Sequence, residues 1–199
     1  MLAPAALGVW LLFQLTLPGA AATAFAQSAA TATGVVDLND RPVDLFKQTS
    51  DAKATVVVFT ITDCPISNKF APELRRLYQR FAPAGVRFFL AYVNPRESAD
   101  AVRQHVTKFR YTMPVIRDLD HELVRLAGAT VSPEAAVFDA RGELAYRGRI
   151  DDRFVSFGVA RPAPTRRDLE DALSEVLAHR PVSTPRTHAI GCYLADLLR

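Results

Sequence analysis

Residues 55–72 read TVVVFTITDCPISNKFAP. Thr55 to Ile61 is β-branched or aromatic at every position, a run apolar enough for a central strand buried on both faces. Thr62-Asp63-Cys64-Pro65 ends it. From Ile66 onward, apolar side chains recur at Phe70, Leu74, Leu77, Tyr78 and Phe81, which is one face of a helix. Pro72 inside that helix predicts a kink. Cys64 is thereby placed where a strand stops and a helix starts. The unpaired N–H groups and the positive dipole end of a helix stabilise a thiolate there. The thiol is therefore expected to be exposed and reactive, against the plainer reading of a buried, inert cysteine that fills space.

The pattern continues on the C-terminal side. VRFFLAYV (residues 86–93) is a second buried strand, and Ser98 is placed to cap a helix running to about Phe109. PVIR (114–117) is a short strand. Asp120 opens a short helix that Gly128 closes. Ala135–Phe138 and Leu144–Arg147 form a hairpin around Asp139-Ala140-Arg141-Gly142. Thr165-x-x-Asp168 begins a last helix whose apolar face is Leu169, Ala172, Leu173, Val176 and Leu177. Strand–helix alternation followed by a hairpin implies an α/β fold, a central mixed β-sheet with helices on both faces. Phe59, Phe88 and Phe89 are core by placement. After Arg180, PVSTPRTH reads as a loop, and the terminal IGCYLADLLR is apolar enough to pack back on the domain.

Composition narrows the classes. Apolar residues make up 49% and charged residues 23% of the 199 residues, so disorder is not the default for the middle of the chain. The net charge is +3 without a dense Lys/Arg face, and nucleic-acid binding is not expected. Residues 1–26 carry no charged side chain. The apolar run AALGVWLLFQLTL (5–17) is shorter than the about 20 residues that span a bilayer. Pro18-Gly19 and Ala24-Phe25-Ala26 follow it, as in a secretory signal cleaved after Ala26. Residues 27–34 form a flexible lead-in, 35–180 the domain, and 181–199 a cysteine-bearing tail. Export to the periplasm or beyond places the two cysteines, Cys64 and Cys192, in an oxidising compartment. No transmembrane span is expected in the mature chain.

Cys64-Pro65-Ile66-Ser67-Asn68-Lys69-Phe70-Ala71-Pro72 resembles the thioredoxin signature C-x-x-C-x-x-x-A-P. Val131-Ser132-Pro133, just before AAVFD, looks like the loop that carries a cis-proline facing the cysteine in thioredoxin-fold proteins. FDARGELAYRGRIDD (138–152) resembles the hairpin of bacterial redoxins. The stretch Thr62-Asp63-Cys64-Pro65-Ile66-Ser67 and a tail with Gly191-Cys192 are similar to the exported redoxins described as alkyl hydroperoxide reductase/thiol-specific antioxidant-like. The resemblance covers about residues 35–180. It implies a thioredoxin fold, Cys64 as nucleophile, Ser67 and backbone N–H groups stabilising its thiolate, and Pro133 shaping the substrate groove and keeping metals off the thiol. It implies no organic cofactor and no metal. The partner would be a disulfide- or thiol-containing protein, or a peroxide, with the recycling reductant unidentified.

Several departures matter. Ser67 stands where thioredoxin has its second cysteine, so a mixed disulfide lacks a neighbouring resolving thiol. Val58 stands where thioredoxin has a buried acid. Asp63 replaces the usual tryptophan, and its charge is expected to raise the Cys64 pKa. The peroxiredoxin pattern P-x-x-x-[ST]-x-x-C is not met, with Val57 and Ile61 at its first two fixed positions. Cys192 is a candidate resolving thiol at a distance. A permanent structural disulfide and an unpaired Cys192 remain open beside that reading. So do two other functions: a peroxide reductase using Cys64, and a redox-inactive binding or assembly module.

Other candidates read as structural. His188 and Cys192, four apart, would share a helix face and with Cys64 could hold Cu(I), but a solvated histidine beside a packed cysteine is the plainer account. His105, His121 and His179 read as surface residues. Asp151-Asp152 and Glu170-Asp171 read as a solvated surface.

Overall fold

The computed structural model describes residues 34–48 and 51–194. The expected signal (1–26) and most of the lead-in lie outside the described residues. In chain order the elements are β1 (Val35–Val36), α1 (Leu45–Gln48), β2 (Ala54–Thr60), α2 (Pro65–Lys69), α3 (Ala71–Phe81), a 3-10 turn (Ala82–Ala84), β3 (Val86–Tyr92), α4 (Ala99–Phe109), β4 (Val115–Asp118), α5 (Glu122–Ala127), β5 (Val131–Ser132), β6 (Glu134–Asp139), β7 (Leu144–Gly148), β8 (Phe154–Ser156), β9 (Val159–Ala160), α6 (Asp168–Leu177) and β10 (Cys192–Tyr193). Six strands form one mixed sheet in the order β1-β4-β3-β2-β6-β7. β2, β3 and β4 run parallel, while β6 lies antiparallel to β2, and β7 to β6. This is the α/β architecture expected from the alternation, and the thioredoxin fold that the resemblance implies.

Every residue of β2 is buried. A strand whose alternate side chains are all withdrawn from water has cover on both faces of its sheet. The core centres there, with Val56, Val57, Val58 and Phe59 wholly enclosed and Phe88, Leu90, Val137 and Phe138 beside them. The predicted helix after Cys64 is present and is interrupted at Phe70, so that α2 and α3 are separate segments with Pro72 in the first turn of α3. Ser98 caps α4 by accepting a 3.1 Å hydrogen bond from the Ala101 N–H.

Two helix starts differ from expectation. The first turn of α5 is capped by the buried carboxylate of Asp118, which accepts from the N–H groups of Glu122 and Val124, rather than by Asp120. The last helix begins at Asp168, because Thr165 is held outside it. The Thr165 N–H and hydroxyl both donate to the Asp152 carboxylate.

The pairing of β2 with β6 builds one end of the molecule. Phe59 lies opposite Glu134 in that antiparallel ladder. Continuing the two strands past each other brings Ile61, just before the Cys64 turn, beside Ser132, and the Ile61 N–H donates to Ser132 Oγ at 3.2 Å. The loop after β2 and the loop before β6 are therefore neighbours by register. The chain after Arg180 returns to the same end. It is pinned along β7 by Arg147 N–H to Pro185 C=O (2.9 Å) and Thr187 N–H to Arg147 C=O (3.1 Å), and it finishes as β10 against β5.

A candidate thiol site under the C-terminal strand

Cys64 directly precedes α2, and its backbone is extended (φ −77°, ψ 111°). Pro65 at the first helical position has no N–H to satisfy and a φ suited to the helix. The Cys64 thiol donates to the carbonyl oxygen of Ser132 at 2.9 Å. Ser67, one turn along, shares a 2.7 Å hydrogen bond between its hydroxyl and that of Ser132. The Ser132–Pro133 peptide bond is cis, and Pro133 is buried beside the thiol loop. Three of the residues singled out in the sequence, Cys64, Ser67 and Pro133, thus converge.

The fourth joins them from the other end of the chain. β10 pairs antiparallel with β5, with Cys192 opposite Ser132 and Tyr193 opposite Val131. Both cysteines are free thiols, and the pairing of Cys192 with Ser132, whose carbonyl oxygen accepts the Cys64 thiol, brings them to the same loop. Burial pushes the Cys64 thiol up. The Cys192 thiol, the N–H groups of Ser67 and Cys192 and the Ser67 hydroxyl all favour the thiolate, and together they hold Cys64 below its ordinary value. Cys192 moves the other way. Burial, the hydrogen bond to Cys64, the negative charge there and Asp63 push it up to about 12. The pair therefore ionises first at Cys64. Asp63 bears on Cys192 and on Glu97.

The expected exposure of Cys64 is corrected. Its relative exposure is 0%, because the tail closes over the turn. Gly191 makes that seat available. A Cβ there would overlap the Ser132 carbonyl oxygen and come within 2.6 Å of its carbon. The absent side chain is what allows the tail backbone to lie on the loop before Pro133.

Surface assignments for several polar residues are also corrected. His105 is buried because its ring joins a chain of hydrogen bonds. Asn68 Nδ2 donates to Thr62 C=O at 3.1 Å, which leaves Asn68 Oδ1 to accept from His105 Nε2 at 2.7 Å. His105 Nδ1 then accepts from the Tyr92 hydroxyl at 2.8 Å. Burial holds the His105 pKa below its usual value. His121 is buried and donates from Nε2 to Val93 C=O at 2.7 Å. His179 is exposed, as expected. Asp151 and Asp152 are buried; Asp152 anchors Thr165 and Arg166, and Asp151 accepts from the Arg153 N–H. Glu170 is half-buried and paired with Arg76 and Arg80. The residues from His188 to Gly191 are not helical and His188 is exposed, which removes the shared helix face that a copper site would use. Among the described residues, no three His, Cys, Asp or Glu side chains converge as metal ligands.

Two carboxylates were not legible as site residues. Glu97, buried at the entrance to α4, accepts from the N–H and hydroxyl of Thr62, both at 2.9 Å, while its Oε2 has no hydrogen-bond partner. Burial, with the charge of Asp63, holds its pKa above the usual carboxylate value. Glu97 thus places a buried acid on Thr62, two residues before Cys64. Its only sequence signal is Asn94-x-x-Glu97 after a strand. Glu134 accepts from the N–H groups of Thr130 and Val131 and lies 3.4 Å from Arg147, so it holds the turn that presents Ser132.

A family model described as "AhpC/TSA family" matches residues 18–147. Among solved structures, an uncharacterized conserved protein from Geobacillus kaustophilus is similar at 26% identity and a TM-score of 0.70, over 80% of this chain and 86% of that one. A hypothetical protein from Sinorhizobium meliloti 1021 is similar at 24% identity and a TM-score of 0.69, over 80% and 87%. A thiol:disulfide interchange protein of the thioredoxin family from Chlorobium tepidum TLS shares the fold at 21% identity and a TM-score of 0.52, over 71% and 90%. No curated protein matches.

Proposed function

The chain belongs to the AhpC/TSA family, and on that premise we propose that it is a thiol–disulfide redox protein working outside the cytoplasm, with Cys64 as nucleophile and Cys192 as resolving thiol. The observation that carries this reading is the pair of free thiols that the β5–β10 ladder brings together at Ser132, with pKa shifts in opposite directions beside that geometry. The Cys64 thiolate attacks one sulfur of a substrate disulfide, and the other sulfur leaves as a thiolate. The mixed disulfide carries no charge at Cys64, so that contribution to the high pKa of Cys192 disappears. Cys192 then loses its proton and attacks the Cys64 sulfur. The substrate's second thiolate leaves, and a Cys64–Cys192 disulfide remains. Two electrons have passed to the substrate, and each released thiolate takes up a proton. An external thiol reductant regenerates the pair.

Ser67 is proposed to hold the Cys64 thiolate, and Pro133 to form the wall of the groove. The extracytoplasmic assignment is supported by the apolar, charge-free residues 1–26. No helix among the described residues is long and apolar enough to cross a membrane. A substrate protein bearing a disulfide is favoured over a peroxide, because Val57 and Ile61 break the peroxidase pattern.

The test is a reaction with hydroxyethyl disulfide followed by intact mass. Cys192→Ser should accumulate one mercaptoethanol adduct on Cys64, while the parent should reach the bridged form without adduct. Equal adduct on both proteins would remove the resolving role. No reaction in either would favour a redox-inactive binding module.

A further inference from the structure

β8 and β9 form a two-stranded hairpin separate from the main sheet, with Gly158 at φ 78° in its turn. Its root is fixed. Phe154 is buried, its ring centroid 5.4 Å from that of Phe70 at the end of α2, with Lys69 Nζ 5.9 Å over it. The Arg161 N–H donates to Arg153 C=O at 2.8 Å, and the Arg161 guanidinium to Asp152 C=O at 3.2 Å. Beyond that root the hairpin projects. Val155, Phe157 and Val159 are 52%, 65% and 55% exposed, and a Cβ on Gly158 would meet nothing within 4 Å. Apolar side chains gathered on a projecting turn add nothing to the core and mark a contact surface. The charge around them has one sign. From Arg153 to Arg167 the chain has four arginines and no acidic residue. The carboxylates that face them, Asp151, Asp152, Asp168 and Glu73, are buried, whereas Arg161 and Arg166 are exposed. Asp168 also holds Arg149 at 2.7 Å, so Arg149, Arg161 and Arg166 share two carboxylates and leave a positive charge over. The outer surface of the hairpin therefore consists of apolar tips above guanidinium groups.

We propose that the β8–β9 hairpin is a peripheral contact for an anionic bilayer. Val155, Phe157 and Val159 enter the headgroup region, while Arg161, Arg166 and Lys69 meet lipid phosphates. Charge and shape both favour lipid over a protein partner. The hairpin is a protrusion and not a groove, and three side chains fall far short of the about 20–30 residues a side of a stable protein interface. A bilayer surface asks for no more than apolar tips and cations, the burial of the one adding to the attraction of the other for anionic lipids. Both contributions are small here, so binding is reversible and sensitive to salt. Because the root packs on Phe70 and Lys69 of the segment that follows Cys64, docking holds the thiol site at a set distance from the membrane. Binding uses neither cysteine, so it goes beyond the redox reading and does not depend on it.

The experiment is flotation of the mature protein with vesicles of phosphatidylcholine alone, or of equal parts phosphatidylcholine and phosphatidylglycerol. The protein should float with the anionic vesicles and about tenfold less with the neutral ones. Raising salt to about 1 M, where the Debye length falls to about 3 Å, should release it. The triple variant Val155→Ser, Phe157→Ser, Val159→Ser should keep the parent's urea midpoint, since these side chains lie outside the core, and lose flotation about tenfold. A second variant reports from the tip itself. The chain's one tryptophan, Trp10, lies in residues 1–26, so the emission of mature Phe157→Trp comes from the hairpin alone and should shift to the blue on anionic vesicles. Absence of flotation with either vesicle would overturn the proposal. So would flotation that the serine variant retains or that leaves the Phe157→Trp emission unmoved, which would assign lipid binding to another face. Slower reduction of a protein disulfide by the serine variant, with no vesicle binding by the parent, would give the hairpin to a protein partner and likewise overturn it.

Discussion

Cys192 pairs through its backbone with Ser132, the residue whose carbonyl oxygen accepts the Cys64 thiol at 2.9 Å. One residue thus links the two cysteines and precedes Pro133. The two thiols meet because a return strand is registered on the loop, and not because they are near in sequence. The pKa order follows from the same contact. The group that receives hydrogen bonds from Ser67 and Cys192 ionises, and the donor does not.

Ser67→Ala removes a hydroxyl that favours the thiolate. Hydrogen bonding to the charged form lowers a pKa, so its removal should raise that of Cys64. The thiolate absorbance near 240 nm in a Cys192→Ser background, followed against pH, checks it. An unchanged titration would show that backbone groups alone set the value.

Glu134→Ala withdraws the acceptor shared by the Thr130 and Val131 N–H groups and leaves Arg147 beside an empty site. Removing one member of a buried ion pair costs about 3–5 kcal/mol. Arg147 keeps part of its solvent contact, so the expected loss is about 3 kcal/mol, read from the urea midpoint. Cys64 alkylation should also speed up, because the loop that seats the tail is loosened.

Thr187→Val tests the upstream anchor. The Thr187 hydroxyl joins Tyr146 Oη at 2.7 Å and the Arg149 N–H at 3.0 Å. Gly148 faces it so closely that a Cβ there would overlap that hydroxyl. Leaving the Arg149 N–H without its acceptor should cost about 1–3 kcal/mol in thermal or urea unfolding. The tail is held at two places, so the loss of one should raise Cys64 accessibility less than Gly191→Val does.

Glu97 makes stability depend on pH in a stated direction. Burial raises its folded pKa above the unfolded value, so the folded chain binds this proton more tightly. The contribution is fully present below the unfolded pKa of about 4.3 and is lost as pH rises through the folded pKa. Glu97→Gln cannot ionise and should lack this loss. The difference in urea midpoint between parent and variant should therefore shift in the variant's favour from pH 4 to pH 8. A constant difference would show that Glu97 ionises normally in the fold.

The strand at 55–61 and the helix after it were legible because a continuous β-branched run and a 3.6-residue apolar period are local signals. Ser98 was legible as a cap for the same reason. The cover over Cys64 was not. It depends on where a tail nearly the whole domain away comes to rest, and the one local trace of it is the glycine before Cys192. His105 and Asp151 were misread as surface residues because a polar side chain shows nothing in sequence of the buried partners that satisfy it. Glu97 was missed because its burial depends on Thr62, which lies 35 residues away in sequence.

The redox reading requires Cys64 and Cys192 to form a working, reversible disulfide. Thiol-trapping mass analysis of the mature protein across a glutathione redox buffer tests this directly. One intramolecular bridge should form with a midpoint well above about −300 mV, the mark of a labile disulfide. A bridge that stays closed throughout that range, or two thiols that never bridge at any poise, would contradict it.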